Sequence, residues 1–420
     1  MWDSARNRSG SHPQEIAYID MNRYTALHVA CQRNPPADVL KALLSAHLRF
    51  FPIETSASLS SFKTPLHLAV SWNFTRTAAA CSVEAVKVLL DGMGEMRATT
   101  ARYRGATPIH TACLEGASVD IARVLLEANP QSVSFRDADG NTPLLCAIAS
   151  STRTQRETPT YEKLKLLLEA DPNTAKICNY RGVTPLELLL KTHCPKICLS
   201  EISKINPLFS TSEDGILSSL PPEIKLFWNK VRLLLCAIER GNVTDVDTPN
   251  FRCLHAATSL GPGIPMQLFG MAAKIHPNEA MEKDKYGRLP LAKAAASSLH
   301  GIQCRYVMDC LLNANPKAAS VPDANGRLPL TLAILSGKAW ERGVKSLVDA
   351  APQALLTRDV QTHLYPFMLA AVVGNGTGTG MNTSFLVDEG ASHELVSLSN
   401  IFHLLCEAPE LLTARDCVER

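Results

Sequence analysis

The sequence predicts an all-α protein built from stacked helix–turn–helix repeats. A six-residue phrase, Thr64-Pro65-Leu66-His67-Leu68-Ala69, returns as Thr107-Pro108-Ile109-His110-Thr111-Ala112, and weaker copies recur along almost the whole chain. A second stretch ending in Leu-Leu follows the clear copies, and a glycine-centred polar stretch precedes several of the later ones. Features that recur together in this order indicate one supersecondary element that is used repeatedly.

The copies are regularly spaced. Well-preserved copies begin at Thr25, Thr64, Thr107, Thr142 and Thr184. Eroded copies begin at Arg252, Leu289, Leu328 and Tyr365. Successive starts are separated by 39, 43, 35, 42, 68, 37, 39 and 37 residues. This regularity predicts about nine repeats, with insertions between some of them.

The repeated phrase predicts the start of a helix. A threonine hydroxyl can accept a hydrogen bond from a main-chain N–H that lacks a partner in the first helical turn, so threonine suits the N-cap. Proline suits the next position because it has no N–H to leave unpaired there. We therefore expect a helix to begin directly after the first residue of each copy.

A second helix follows the first in each repeat. Residues 82–90 and 118–126 both carry an acid, a base three residues later, and then Leu-Leu. The acid and base share a solvent face, and Val86, Leu89 and Leu90 form an apolar stripe on the other side. The pattern recurs, whole or with the base alone, at residues 36–44, 160–168, 227–235 and 340–348.

A polar stretch separates one Leu-Leu from the next helix start. In several copies an aspartate stands three residues before a glycine, as Asp137 does before Gly140. Aspartate bonds its own main chain and glycine accepts positive φ, so this spacing indicates a tight turn. The stretches lie at residues 136–141, 180–182, 283–288 and 322–327.

With these three features, the chain resembles the ankyrin-repeat family. The family consensus has a turn with Asp and Gly, then Thr-Pro-Leu-His-x-Ala, then a second helix that ends in Leu-Leu. The resemblance covers residues 18–412 and is most specific in the repeats that begin at Lys63 and Ala106. It implies an all-α solenoid of stacked helix–turn–helix repeats with short turn or hairpin tips.

The chain departs from the family pattern in two ways. Ala-Asn-Pro or a similar triplet replaces the usual glycine after Leu-Leu at residues 128–130, 170–172 and 314–316, so we expect sharp helix ends and longer linkers. The consensus histidine survives only at His28, His67, His110 and His255. In the family its ring bonds the main chain and links neighbouring turns. The resemblance thus implies structural histidines, and other contacts in the later repeats.

Composition agrees with an ordered helical protein. The chain of 420 residues is 46% hydrophobic and 20% charged, and its net charge of +2 gives no global attraction to nucleic acid or to an anionic membrane. Its 13 cysteines are odd in number and lie mostly in apolar helical stretches, which favours buried free thiols in a reducing compartment.

The sequence also predicts where the protein resides. No apolar stretch is long enough to span a bilayer, and residues 1–22 lack the apolar core of a signal peptide. We therefore expect an intracellular protein, cytoplasmic or nuclear, without a membrane span. We expect it to be a monomer.

The fifth step, of 68 residues, interrupts the array. Residues 227–235 match the second-helix pattern, so we place the extra residues between the two helices of one repeat. The predicted organisation is an N-terminal segment at 1–22, well-specified repeats at 23–190, an insertion or loop at 191–225, divergent repeats at 226–412 and a tail at 413–420.

The insertion carries two short patterns, one typical of zinc ligands and one of an F-box. His193, Cys194 and Cys198 offer three zinc ligands, but no second Cys/His pair stands at zinc-finger spacing, so no metal site is predicted. Residues 220–224 resemble the opening of an F-box, the helical domain that connects substrate adaptors to ubiquitin ligases. A helix start with proline in its first turn explains them equally well.

The sequence favours binding over catalysis. It lacks a phosphate-cradling glycine loop, a kinase signature, a Gly-x-Ser-x-Gly elbow and a His-Glu-x-x-His motif, so no catalytic or cofactor-binding residue is predicted. A thiol–imidazole pair is conceivable, for example Cys253 with His255, but the histidine belongs to the repeated phrase.

The predicted function is a non-enzymatic scaffold or adaptor that binds protein partners on the concave face of an ankyrin array. The alternative is a ubiquitin-ligase substrate receptor that recruits through the F-box-like segment near 218–235. Arg and Tyr on the turn tips suit interface anchors because they bury a large area while still hydrogen-bonding. The candidate partner-binding residues are Arg104, Arg136, Asp139, Tyr180, Arg181, Lys285, Tyr286, Arg288, Asn325 and Arg327.

Overall fold

The structure is a computed structural model of helical repeats. It describes residues 7, 15, 18–21, 24–33, 35–50, 63–71, 82–154, 158–193, 221–248, 251–261, 265–297, 299, 301–374 and 393–412. The chain divides after Thr248 into two compact units, here called the N-terminal and C-terminal units. The limits that the sequence suggests for the insertion and the two arrays stay predictions, since 194–220 lie outside the described residues.

The N-terminal unit consists of paired helices. Their bounds are α1 Ala26–Cys31, α2 Ala37–Phe50, α3 Pro65–Val70, α4 Val83–Met93, α5 Glu95–Thr100, α6 Pro108–Leu114, α7 Val119–Ala128, α8 Pro143–Thr154, α9 Thr158–Ala170, α10 Pro185–His193 and α11 Pro222–Arg240. First helices contact first helices, as α6 contacts α8, and second helices contact second helices, as α4 contacts α7. This is the stacking expected of a solenoid, in which each repeat buries its apolar face against its neighbours.

The C-terminal unit repeats the arrangement. Its helices are α12 Cys253–Ser259, α13 Met266–Ile275, α14 Pro290–Ala295, α15 Gly301–Ala314, α16 Pro329–Leu335, α17 Val344–Ala350, α18 Pro366–Gly374 and α19 His393–Glu407. The described residues contain no β-strand beyond an isolated bridge between Tyr103 and Ala106. The all-α expectation is confirmed. Among the described residues, no helix combines the length and apolar character needed to cross a bilayer.

All nine helix starts predicted from the repeated phrase are present. The residue at the third position of the phrase is buried in eight of them, namely Leu27, Leu66, Ile109, Leu144, Leu186, Leu254, Leu291 and Leu330. Three of the threonines that begin the phrase cap their helices, as Thr64 Oγ1 does by accepting from His67 N at 3.3 Å; the others are Thr142 and Thr184. Leu289 and Leu328 make no side-chain cap. Leu289 is instead buried, so packing replaces capping at that start.

The linkers after the second helices contain a regular element that the sequence did not indicate. After each proline-terminated second helix the chain forms a short 3₁₀ helix rather than an irregular connection. These helices are Pro130–Ser134, Pro172–Lys176, Pro277–Met281, Pro316–Ser320, Pro352–Leu356 and Pro409–Leu412. Proline ends the α-helix before it, because it disfavours α geometry in the residue that precedes it. The same proline suits the first position of the 3₁₀ helix, because it has no N–H to leave unpaired there. Each such repeat therefore has a third small element.

One predicted second helix is broken. Residues 340–348 form a short 3₁₀ helix, Trp340–Arg342, followed by α17. Gly343 separates them with φ of 131°, a conformation that ends a helix and favours glycine. The amphipathic pattern survives across the break because Trp340 and Leu347 are both buried.

Helix α11 lies within the 68-residue step from Thr184 to Arg252, where residues 227–235 predict a second helix. It contacts α10 and α9 within the N-terminal unit. Its apolar face is buried, with Phe227 at 2% and Trp228 at 0% exposure. In the F-box-like segment, Ile224 is thus buried as well, whereas Pro221, Pro222 and Glu223 are exposed. Residues 194–220 lie outside the described residues.

The cysteines described by the structure are thiols, and most are buried. Those that are buried are Cys31, Cys113, Cys146, Cys236, Cys253 and Cys304. Cys310, expected inside the apolar core, is half-buried. Burial raises the pKa of Cys113 to about 11, because the interior disfavours a thiolate. A thiol such as Cys113 packs as a small apolar side chain rather than acting as a nucleophile.

Candidate interaction surface at the turn tips

The turn tips share one construction. Asp137 Oδ1 accepts from the main-chain N–H groups of Asp139 at 2.9 Å and Asn141 at 2.8 Å. Asp284 and Asp323 hold their turns in the same way, and Asn179 does so with its amide oxygen. Glycine three residues later has positive φ in each turn. Aspartate or asparagine followed by glycine therefore builds a rigid tip.

Neighbouring tips of the N-terminal unit are hydrogen-bonded to each other. Tyr180 N donates to Asp139 O at 3.1 Å, and Asn179 Nδ2 donates to Asn141 Oδ1 at 3.1 Å. The Arg102 guanidinium donates to Arg136 O at 2.9 Å. These bonds join three successive tips into one continuous ordered edge.

The consensus histidines fix the same edge from inside. His67 Nε2 lies 3.1 Å from Ala106 O, and His110 Nε2 lies 3.1 Å from the carbonyl oxygens of both Phe135 and Asn141. Burial lowers the pKa of His67 to about 4, so its ring is neutral near pH 7. A neutral ring in contact with Thr64 Oγ1 through Nδ1 carries its proton on Nε2 and donates it to the next repeat.

His255 plays this part in the C-terminal unit. Its Nε2 donates to Glu282 O at 2.8 Å, which joins α12 to the chain leading into the next turn. Burial lowers the pKa of His255 as well. Because Nε2 carries the donated proton, Nδ1 is the basic nitrogen of the ring, and among the described residues it has no hydrogen-bond partner, so Cys253 and His255 are not hydrogen-bonded to each other.

Five candidate partner-binding residues lie on the N-terminal unit. Arg104, Asp139, Tyr180 and Arg181 are exposed, and Arg136 is half-buried. The Arg136 guanidinium lies 5.9 Å from the centroid of the Tyr180 ring. Tyr180 is 69% exposed. The structure brings these residues together along the joined tips, which we call the N-terminal tip surface.

The other five candidates lie on the C-terminal unit. Lys285, Tyr286 and Asn325 are exposed, and Arg288 and Arg327 are half-buried. Lys285 Nζ and the Arg288 guanidinium lie 4.9 and 5.1 Å from the centroid of the Tyr286 ring. Arg327 differs, since its Nε donates to Asp359 Oδ1 at 3.0 Å and its side chain is only 16% exposed. Arg327 is committed to the fold.

Sequence reasoning missed several buried polar contacts. The Lys163 side chain is 4% exposed, and its Nζ donates to Ala117 O. Lys338 is 2% exposed and donates to Ser297 O at 2.6 Å and Leu299 O at 2.5 Å. Burial lowers the pKa of both amines. No sequence signal distinguishes these two lysines, because the acceptor of each is a main-chain carbonyl distant in sequence.

The zinc ligands considered from sequence cannot be placed, as Cys194, Cys198 and the His193 side chain lie outside the described residues. The described residues do bring Cys253, His276 and Glu279 together, with ligand atoms within 4.8 Å of one another. All three are buried in the C-terminal unit. Sequence alone did not single out this group, because its members are spread over 27 residues and share no motif.

Comparison with known proteins agrees with the repeat architecture. Residues 74–176 match the family model described as "Ankyrin repeats (3 copies)". No curated protein matches the chain significantly. Among solved structures, an ankyrin repeat protein from Leishmania major is 12% identical; the match covers 92% of this chain and 97% of that chain, with a TM-score of 0.27.

Proposed function

We propose that this chain, whose residues 74–176 match the ankyrin-repeat family model, is a non-enzymatic intracellular scaffold or adaptor that binds a protein partner on its N-terminal tip surface. The observation that carries the proposal is the main-chain and side-chain bonding between successive tips, which holds exposed Arg and Tyr side chains on an ordered edge. A partner that docks there pays little ordering entropy, and rigid anchors of this kind dominate binding energies.

The charges of the tip surface indicate the chemistry of its partner. The candidate residues of this surface include three bases, Arg104, Arg136 and Arg181, and one exposed acid, Asp139. The Asp137 carboxylate accepts hydrogen bonds from the main chain of its own turn. Excess guanidinium groups beside an open tyrosine ring complement a segment that carries carboxylates next to an apolar side chain. We therefore infer an acidic protein segment as the partner.

Two alternatives are weaker. Recruitment of a ubiquitin ligase through 218–235 conflicts with the burial of Phe227 and Trp228, which would have to leave the core to make an interface. Nucleic-acid binding lacks support from a net charge of +2. The monomeric state and cytoplasmic or nuclear residence belong to the proposal and rest on composition and on the buried thiols.

Proximity labelling in cells, followed by mass spectrometry, would identify the partner, and charge reversal would test the surface. We propose Arg104→Glu, Arg136→Glu and Arg181→Glu combined. The matched control reverses three exposed bases on second helices, Lys41, Lys87 and Arg123. The tip variant should weaken binding of the captured partner at least about tenfold, because each reversal replaces an attraction by a repulsion.

Three results decide between the readings. Loss of binding in the tip variant with retention in the control supports the tip surface. Unchanged affinity in the tip variant overturns it. Recovery of ligase subunits with the wild-type chain, at a level that the tip variant does not change, favours the ubiquitin-ligase alternative.

A further inference from the structure

We propose that the repeat beginning at Arg252 binds a zinc ion through Cys253, His276 and Glu279. Cys253 is the first residue of α12, His276 follows the last residue of α13, and Glu279 lies in the 3₁₀ helix Pro277–Met281. All three belong to the C-terminal unit, so the site needs no other part of the chain. The proposal is independent of the tip surface, which lies on the other unit.

These three positions are unusual when the repeats are compared with each other. Each of the other eight starts has proline or alanine where Cys253 stands. The residue before the linker proline, which is His276 here, is elsewhere Asn129, Asp171, Asn315, Ala351 or Ala408. The residue two after that proline, which is Glu279 here, is elsewhere Ser132, Thr174, Ala318, Ala354 or Leu411. Only in this repeat, among those compared, are these three positions occupied by a thiol, an imidazole and a carboxylate, and the three groups lie close together.

The geometry suits a tetrahedral ion. His276 Nδ1 lies 3.5 Å from Glu279 Oε1, and zinc bound to N and O at about 2.0–2.2 Å holds such ligands about 3.4 Å apart. The thiolate would stand about 3.6 Å from each. Since no pair of ligand atoms is separated by more than 4.8 Å, the longest pair closes by about 1 Å on binding.

Burial and charge favour a metal at this place. The exposed fractions of Cys253, His276 and Glu279 are 1%, 3% and 4%. A buried carboxylate needs compensation, and a zinc ion with one thiolate, one carboxylate and one neutral imidazole makes a neutral group. Sulfur and nitrogen ligands select zinc over magnesium or calcium, which take oxygen. Water completes the tetrahedral shell.

The carboxylate is also oriented by its surroundings. Glu279 Oε2 accepts from Leu254 N at 2.7 Å, which leaves Oε1 directed toward His276. Hydrogen bonds to the second oxygen of a ligating carboxylate are a common feature of zinc sites. The metal would join the start of α12, the end of α13 and the linker. This helix start has no proline, and the N-cap residue Arg252 makes no side-chain cap, so Glu279 caps it from the linker and the ion would hold Glu279 in that place.

The first experiment uses the full wild-type chain. After purification and dialysis against a weak chelator, elemental analysis should find close to one zinc ion per chain. Replacement by Co²⁺ should produce a thiolate-to-cobalt charge-transfer band, which requires a cysteine ligand. Stronger chelation should lower the temperature at which the C-terminal unit unfolds, because a metal bound only to the folded state stabilises it. Absence of stoichiometric zinc and of the cobalt band overturns the proposal.

Variants then assign the ligands. Cys253→Ser should abolish the cobalt band, while His276→Gln and Glu279→Gln should weaken zinc binding at least about tenfold. The matched control is Cys304→Ser, which removes another buried thiol of the same unit and should keep both band and affinity. An equal band in Cys253→Ser and wild type means adventitious binding by other thiols and overturns the proposal. If Cys253→Ser fails to fold by circular dichroism, the glutamine variants and the wild-type measurements still decide.

Discussion

The guanidinium of Arg327 pairs with the carboxylate of Asp359, with Nε and Oδ1 3.0 Å apart and the Asp359 side chain fully buried. Arg327 projects from one turn and Asp359 from the next, 32 residues later. In the repeat that begins at Leu328, which has lost the consensus histidine, this ion pair performs the same task, which is to join one turn to its neighbour.

Removal of Arg327 should therefore destabilise the C-terminal unit. Arg327→Ala leaves a buried carboxylate with only the Thr362 hydrogen bonds, and we expect a loss of about 3–5 kcal/mol in the free energy of unfolding. Chemical unfolding followed by circular dichroism measures it. Asn325→Ala, an exposed change in the same turn, should alter stability by less than about 0.5 kcal/mol. Equal effects would mean that the pair is not structural.

The same pair should make the C-terminal unit sensitive to acid. Burial raises the pKa of Asp359, but hydrogen bonds from Arg327 and Thr362 outweigh it and leave the pKa below its ordinary value of 3.8. A carboxyl whose folded pKa is depressed contributes stability above the unfolded pKa and loses it as the pH falls toward the folded pKa. Unfolding measured between pH 5 and about 2 should show this loss in the wild type and less of it in Asp359→Asn.

A second pH dependence should arise in the N-terminal unit from His67. Burial lowers its pKa from 6.5 to about 4, so between these values the unfolded chain binds a proton that the folded chain does not. Stability is then complete above about pH 6.5 and falls as the pH drops toward 4. His67→Gln should reduce the slope of unfolding free energy against pH by up to about 1.4 kcal/mol per pH unit. An unchanged slope would show that the ring is not buried neutral.

The two tip glycines Gly140 and Gly182 form a matched pair. Both have positive φ, of 78° and 74°, so alanine at either should cost about 1 kcal/mol in backbone strain. A Cβ at Gly140 would lie 2.8 Å from Tyr180 N, whereas nothing lies within 4 Å of one at Gly182. Gly140→Ala should therefore lower the free energy of unfolding by a further ~1–3 kcal/mol, which is the usual cost of overpacking. Gly140→Ala should also weaken partner binding, because it separates the two tips. Equal thermal midpoints for the two variants would contradict the predicted difference in stability.

The threonine of the repeated phrase should stabilise its helix through its hydroxyl. Thr64 Oγ1 accepts from His67 N at 3.3 Å and lies 2.8 Å from His67 Nδ1. Thr64→Ala should destabilise the N-terminal unit by about 1–2 kcal/mol, while Thr64→Ser should retain most of the stability. Chemical unfolding of both variants tests this, and an equal loss in the serine variant would assign the effect to the methyl group instead.

The features predicted correctly from sequence are those whose causes are local. Thr64 and Pro65 start a helix because a cap and a missing N–H act within one turn of chain. Asp137 and Gly140 form a turn because the carboxylate bonds main-chain groups two and four residues later. Sharp helix ends and longer linkers were expected from proline after asparagine, but the 3₁₀ helix that follows was not, because this pattern indicates only where one helix ends.

The candidate surface was only partly predictable. Sequence identified Arg104, Tyr180 and Arg181 as tip residues, and the structure places them on one joined edge. It also named Arg327, whose partner 32 residues away withdraws it from the surface. Which arginine is exposed depends on the residue that the next repeat presents, and no local rule contains that information.

By itself, the sequence of this protein determined that it is an array of helix pairs, where each helix starts, and which histidines serve the stack, because capping, turn formation and amphipathic periodicity operate over a few residues. Only the tertiary structure decided that Arg327 is a clamp, that Lys338 is buried against main-chain carbonyls, and that Cys253 meets His276 and Glu279. These contacts join residues 23–41 positions apart, and they exist only once the helices have packed.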